Sequence, residues 1–227
     1  MVSAIIVAAG IGARMNDTVR KQYLSLAGRP VVSHALVAFD KCVQVENIFL
    51  VVPYEDFDYC RKNVLEPLEL IDKVSLVAGG AHRQESVYNG LVEVDKKAST
   101  VVIHDGVRPF AHSEDINACI KGSKDFGACI LGIPASDTLK LVGKSGMIEK
   151  TIARDTVWLS QTPQAFQYDL IMKAHESARQ EGFFGTDDAL LVERMGKKVK
   201  IISGRRSNLK ITTRDDLIVA RAMIGEE

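Results

Sequence analysis

Ser3–Met15 reads SAIIVAAGIGARM, a run of small and β-branched residues that opens into Gly10 and Gly12 and then Arg14. A strand running into a glycine-rich loop brings main-chain N–H groups within reach of a phosphate. A dinucleotide fingerprint of the form G-x-G-x-x-G needs glycine where Met15 stands. The phosphate loop of a nucleoside triphosphate hydrolase needs a Gly-Lys-Ser/Thr triplet, and none follows. What stands here is G-x-G-x-R, with KQYL at Lys21–Leu24 shortly after. The residues alone leave two readings. One is a cradle for a triphosphate with Arg14 and Lys21 as mobile cations; the other is a tight turn with both side chains solvated.

Outward from this stretch, apolar runs recur at Ile48–Val52, Val74–Ala78, Thr100–His104 and Ala128–Ile133, matching the first at Ala4–Ala8. Each is nearly continuous rather than alternating, the pattern of strands covered on both faces. Between them Val31–Phe39, Arg83–Val94 and Asp115–Lys121 carry helical periodicity, the last with Ser113 as its N-cap. Further helices are predicted at Tyr168–Gln180, at Asp187–Met195 with Thr186 as N-cap, and from Thr213, where Asp216 completes a capping box. A last strand is predicted at Val199–Ser203. Strand and helix alternating at this pitch predict an α/β fold with right-handed crossovers. The expected architecture is one Rossmann-like three-layer domain over residues 1–227 with a mainly parallel central sheet. Asp137–Ile152, DTLKLVGKSGMIEKTI, has too few apolar residues for a core of its own. It is read as a β-hairpin arm projecting from the domain, at about 136–156.

The chain has 227 residues, 46% hydrophobic, and its 29 basic and 29 acidic side chains cancel. Such a balance argues against a nucleic-acid or anionic membrane partner. The four cysteines are scattered without C-x-x-C spacing, so neither a zinc site nor a disulfide scaffold is expected. No apolar run approaches the length of a membrane span, and the start of the chain lacks the basic flank of a secretory signal. A cytoplasmic protein is the expectation.

In an open parallel sheet, ligands bind beyond the carboxyl ends of the strands. The stretches there are AAGIGARM, AGGAHRQES, IHDGVRPF and IPASDT. Gly79 and Gly80 form a second glycine-rich turn, followed by Arg83 and Ser86. Two such turns at one sheet edge suit a nucleotide, one for phosphate and one for base or ribose. Asp105 is a candidate to hold magnesium on phosphates, and Arg108 to bind a substrate phosphate, unless the two simply brace the turn before Pro109. His104, without partners at metal spacing, is read as a hydrogen-bonded turn residue. Arg154, Thr162, Thr186 and Lys210 are each weak signals. Together the inventory is cations, threonines and backbone donors, with no nucleophilic triad. It suits phosphoryl or nucleotidyl transfer, where catalysis is positioning and charge stabilisation.

AAGIGARM with KQYL, then GGAHRQESV, HDGVRPF, SDTLKL, RDTVWLSQTPQAF, GTDDA and NLKIT, resembles in order and spacing the 2-C-methyl-D-erythritol 4-phosphate cytidylyltransferases of non-mevalonate isoprenoid synthesis. The resemblance runs from residue 3 to about 221. It implies that a sugar-alcohol phosphate attacks the α-phosphorus of CTP and releases pyrophosphate, with Mg²⁺ on the phosphates. It implies that Arg14 and Lys21 stabilise charge at the α-phosphate, and that Arg154 and Lys210 orient the acceptor phosphate. The loop Ala8, Ala9, Gly10 and Gly12 would hold CTP. Backbone groups around Gly80 and Ala81 would read cytosine, with Arg83, Ser86 and Asp105 near the nucleotide. Arg108, Thr138, Thr162 and Thr186 would line the acceptor side. A homodimer through the arm is also implied, with Thr138 and Arg154 serving the neighbouring subunit.

Ala81 stands where the family often has Asp, which leaves base recognition more to main-chain contacts. HDGVRPF and KITTRDDL lean toward the related pentitol-phosphate cytidylyltransferases, which make CDP-ribitol. AAG, SDTLKL, and RD ahead of QTPQ and TDDA lean toward methylerythritol phosphate. The second set weighs more, because Arg154 and Thr186 are acceptor-side positions. A non-catalytic nucleotide-binding protein on the same fold would keep the glycines and lose the cations, yet Arg14, Lys21, Arg154 and Lys210 are all present.

Overall fold

Near-continuous apolar strands form where helices cover both faces of a sheet, and the computed structural model, which describes residues 1–10 and 19–225, has this layering. β1 (Val2–Val7) sends Ala4 and Ile6 into one core and Ile5 into the other, because successive strand side chains point to opposite faces. After it come the short strands β2 (Ser25–Leu26) and β3 (Arg29–Pro30), helix α1 (Val31–Asp40), and β4 (Asn47–Val52). A broken helical segment containing α2 (Phe57–Cys60) leads to β5 (Val74–Ala78), α3 (Arg83–Glu93) and β6 (Thr100–Asp105). Next are α4 (Ser113–Phe126), β7 (Ala128–Pro134), the hairpin β8 (Leu139–Val142) and β9 (Ile148–Ile152), and β10 (Trp158–Gln167). The chain ends with α5 (Tyr168–Gln180), α6 (Asp188–Arg194), β11 (Lys200–Ser203) and α7 (Arg214–Ile224).

The central sheet has seven strands in the order β11-β7-β10-β6-β1-β4-β5. β1 pairs parallel with β4 and β6, β4 with β5, and β7 with β11. One core packs Phe39 and Leu36 of α1 and Ile116 and Ile120 of α4 against one face. The other packs Val87 and Leu91 of α3 with Ile171 of α5 and Leu191 of α6 against the opposite face. The predicted three layers and mainly parallel sheet are therefore present, as is the hairpin, whose strands pair with each other and not with the central sheet.

Three sequence expectations differ from the structure. β10 was not foreseen as a strand; it lies antiparallel between β6 and β7. Its middle reads Gln-Thr-Pro-Gln, and Pro163 cannot donate to a ladder. The register shifts between Gln161 and Gln164, an irregularity that accommodates it. Ser113 is the first residue of α4 rather than its N-cap; His112 precedes the helix and makes no side-chain cap. Asp187, not Thr186, caps α6, its Oδ1 accepting from the Leu190 N–H at 3.0 Å. A carboxylate one residue nearer the helix outcompetes the hydroxyl. The Thr213–Asp216 capping box at α7 is present as predicted. No helix among the described residues is long and apolar enough to cross a membrane.

Candidate active site

The sheet order reverses at β1, since the chain passes from β1 to β4 and β5 on one side and then to β6 on the other. Loops leaving β1 and β6 diverge at such a point and open a crevice at the carboxyl edge. The ladder continues one step past each strand: Ala8 N–H donates to Val51 O, Gly79 N–H to Val52 O, and Gly106 N–H to Val7 O, at 2.8–2.9 Å. These bonds hold the loops after β1, β5 and β6 side by side. The approach is close enough to require glycine: a Cβ on Gly79 would collide with the Ala9 Cβ, and one on Gly106 would lie 3.0 Å from the Ala8 Cβ. Gly79→Ala is expected to cost about 1–3 kcal/mol by overpacking, read as a lower denaturation midpoint, and to weaken nucleotide binding as the two loops part.

Between these loops lies a cleft of about 690 Å³. It is lined by Ala8, Ala9, Gly10, Lys21, Gly80, Ala81, Arg83, Ser86, Asp105 and Lys210, all expected from the sequence. Gln22, His82 and Thr212 also line it and were not singled out. Gly12 and Arg14 lie outside the described residues. Arg108 is buried beneath the cleft and Thr162 is buried within β10. Thr138, Arg154 and Thr186 are exposed and do not line the cleft, and Arg154 Nη1 donates to Ser136 O at the base of the arm.

Lys21 sits in a single 3₁₀ turn, Lys21–Tyr23, pinned from two sides. Gln22, 1% exposed, donates through Nε2 to Ala8 O at 2.7 Å and Gly10 O at 3.2 Å, tying the turn to the first loop. Tyr23 donates to Asp56 at 3.0 Å, and Arg20 pairs with Asp56 and Glu55. Gln22 was legible only as part of KQYL; its partners come from the folded first loop. Across the cleft, Lys210 follows Asn208, whose Nδ2 donates to Thr162 O at 2.8 Å, and precedes Ile211, whose N–H donates to Val107 O at 2.9 Å. In the second loop Gly80 N–H donates to Ser86 Oγ, which itself donates to His82 O, both at 3.0 Å.

Asp105 is the carboxylate among the lining residues. Its Oδ1 accepts from Arg83 Nε at 2.9 Å, while Oδ2 meets Lys210 Nζ at 2.8 Å and Arg108 Nε at 3.6 Å. Burial by itself would raise its pKa, but Arg83, Lys210 and Arg108 hold it well below the usual carboxylate range. Asp188, 1% exposed, takes Arg83 Nη1 at 2.8 Å and is likewise depressed, burial opposed first by Arg83. No group of three His, Cys, Asp or Glu side chains able to hold a metal occurs among the described residues. The one carboxylate that the described lining could offer a metal is Asp105, and its two oxygens already meet Arg83 and Lys210.

His104 is fully buried, and its bonds define a neutral tautomer. Nε2 donates to Arg108 O at 3.1 Å, and Nδ1 accepts from the Thr162 hydroxyl at 3.1 Å, which in turn accepts from Asp105 N–H at 3.0 Å. Thr162 thus has its hydroxyl engaged in bracing the Asp105 loop. Burial pushes the His104 imidazole from 6.5 down to about 4, against smaller opposing pulls from the Arg108 carbonyl and Asp105. The unfolded chain therefore binds the extra proton first as pH falls, and stability is lost between pH 6.5 and about 4. The expected loss from this group is about 3 kcal/mol. His104→Gln should show a flatter dependence of urea midpoint on pH over that window.

Cations, main-chain donors and one carboxylate around a cleft at the crossover of an α/β sheet suit phosphoryl or nucleotidyl transfer. Residues 2–226 match the family model for IspD, 2-C-methyl-D-erythritol 4-phosphate cytidylyltransferase. The chain is 47% identical over 223 residues to the cytidylyltransferase of that name from Pelotomaculum thermopropionicum, covering 98% of this chain and 94% of the relative. It is 43% identical to that of Geobacter metallireducens, covering 100% and 98%. Among solved structures it is similar to the 4-diphosphocytidyl-2C-methyl-D-erythritol synthase of Anaerococcus prevotii, with a TM-score of 0.88, 35% identity, and 99% and 96% of the two chains covered. The chain belongs to the 2-C-methyl-D-erythritol 4-phosphate cytidylyltransferase family and is a cytidylyltransferase.

Proposed function

We propose that this cleft binds CTP and that the phosphate of 2-C-methyl-D-erythritol 4-phosphate attacks its α-phosphorus. The products are 4-diphosphocytidyl-2-C-methyl-D-erythritol and pyrophosphate. The observation that carries the reading is the convergence of two glycine-rich loops, Lys21 and Lys210 on one cleft. Main-chain donors of Ala9 and Gly10, with Gly12 and Arg14 of the same loop, receive the triphosphate, while Ala8, its N–H and carbonyl held by Val51 and Gln22, shapes the start of the loop. Gly80 and Ala81 offer main-chain groups to the base, beside Ser86. Lys21 offsets charge developing between the α-phosphorus and the leaving pyrophosphate. Lys210 meets the acceptor phosphate, with Arg108 beneath it adding positive potential. A magnesium ion on the triphosphate, with Asp105 as its nearby carboxylate, would neutralise charge on the departing pyrophosphate.

The whole chain works as one cytoplasmic nucleotidyltransferase domain with its arm at about 136–156, and it works as a homodimer. Leu141, Val142, Met147 and Ile148 of the hairpin are 47–70% exposed, and a two-stranded hairpin alone is marginally stable in water. A second arm laid against it covers those residues and brings Thr138 and Arg154 to the neighbour's cleft, with Thr186 on the acceptor side and Thr162 bracing the Asp105 loop behind it. Pyrophosphate release from CTP and Mg²⁺ is the test, with methylerythritol phosphate and ribitol 5-phosphate as parallel acceptors. Release with the first supports the reading, and release with ribitol 5-phosphate alone overturns the choice of acceptor.

A further inference from the structure

Arg83 lines the cleft, yet its guanidinium is occupied elsewhere. Nε donates to Asp105 at 2.9 Å, Nη1 donates to Asp188 at 2.8 Å, and Nη2 is buried without a partner. Behind Asp188 stands His175 on α5, fully buried, with Nε2 3.2 Å from Asp188 Oδ1. Asp188 is ionised between Arg83 and His175, so Nε2 donates to it, and Nδ1 is buried without a partner. A continuous line of contacts therefore runs from α5, through the first residue of α6 and the first residue of α3, to the end of β6 and onto Lys210. Two buried polar atoms along it are left unsatisfied. An apolar core of the same volume would leave none, which is not how a cluster selected for stability alone is built.

We propose that His175, Asp188 and Arg83 are positioning residues that fix the Asp105 carboxylate and, through it, the Lys210 ammonium. Arg83 acts through Asp105 instead of binding the nucleotide. The geometry explains why two carboxylates share one guanidinium. With Asp188 in place, Arg83 presents only Nε to Asp105 and leaves Oδ2 to Lys210. Without it, Arg83 is released to grip both Asp105 oxygens in the bidentate manner guanidinium favours, and Lys210 loses its anchor. His175 holds the second Asp188 oxygen, so that Asp188 meets Arg83 with Oδ2 alone.

This inference rests on the cytidylyltransferase reading, and the unmodified protein assayed alongside separates the two. If it shows no turnover with CTP and methylerythritol phosphate, that reading fails; if it turns over normally, the variants test the chain by themselves. Arg83→Lys keeps the charge but cannot bridge two carboxylates. It and Asp188→Asn are each expected to lower kcat by about tenfold to a hundredfold, the scale of a misplaced catalytic group, with KM for CTP within about threefold. His175→Leu should lower kcat in the same sense, and His175→Gln, which keeps a donor facing Asp188, should restore most of it. Should Asp188→Asn fail to fold, Arg83→Lys at its half-buried position and the His175 pair carry the comparison. A rise in KM for CTP with kcat intact in Arg83→Lys makes Arg83 a nucleotide ligand and overturns the proposal. So do folded Arg83→Lys and His175→Leu variants with kcat unchanged.

Discussion

Lys21→Ala is expected to lower turnover by about a hundredfold or more while changing the CTP dissociation constant by less than about threefold. The expectation follows from how the residue is mounted. The turn that carries it is bound to the first loop by Gln22 and to the α2 region by Tyr23 and Arg20, so the ammonium approaches from a fixed base. A preorganised charge needs no rearrangement when negative charge gathers on the departing phosphates, and that is where it contributes most. In the ground state the triphosphate is already met by main-chain donors, so binding has other supports. Single-turnover rates beside calorimetric CTP titration give the split. Parallel losses in rate and affinity would assign Lys21 to substrate binding instead.

Asp105→Asn is expected to damage both stability and activity, because it leaves Arg83, Arg108 and Lys210 around a neutral amide. Removing one member of a buried ion cluster costs about 3–5 kcal/mol, most of it from the charges left behind. Urea denaturation at neutral pH reads this directly. Adding Arg108→Met to Asp105→Asn removes the most buried of the cations in contact with Asp105 and should recover part of the loss, on the order of 1 kcal/mol. A double variant less stable than the sum of the singles would show that Arg108 has another role. The acid limb carries the same signature. Asp105 has a native pKa below its unfolded value, so its contribution is complete above about pH 4 and lost as pH falls further. Asp105→Asn should therefore be flatter below that point, where the His104 effect is already spent.

Much of the fold is legible in the residues because burial on two faces writes itself as unbroken apolar runs, as in AIIVA, IFLVV and TVVIH. The same logic hides β10. Its buried residues include Gln161, Thr162 and Gln164, and these are satisfied by partners far along the chain. Gln161 donates to Arg205 O, and Gln164 donates to Asp187 and accepts from Ala189 N–H. A polar run is a strand here only because those partners exist. The loops of the cleft were legible for a local reason, since glycine, arginine and aspartate after an apolar run mark the edge of a parallel sheet. Asp188 and His175 were not, because Arg83 and Asp188 are 105 residues apart and meet only once α6 docks. The helix caps at 113 and 186 failed on a finer point: the composition was right for a cap, but the competition between adjacent side chains is settled by backbone geometry.

The place of β10 in the sheet bears on how the chain emerges during synthesis. β6 and β7 are complete once residue 134 has been made, yet neither touches the other, because the strand that joins them comes later. Until residues 158–167 arrive, the nascent protein carries a part-sheet of β5, β4, β1 and β6 with an unpaired β6 edge, and β7 as a lone strand. Such edges are templates for pairing with another chain. A chain halted just after the hairpin should aggregate, and one extended by those ten residues, which cover the β6 edge, should aggregate less. The polar QTPQ segment then serves as the stitch that closes the sheet from the middle, and its glutamines spare that late strand the stickiness of an apolar one.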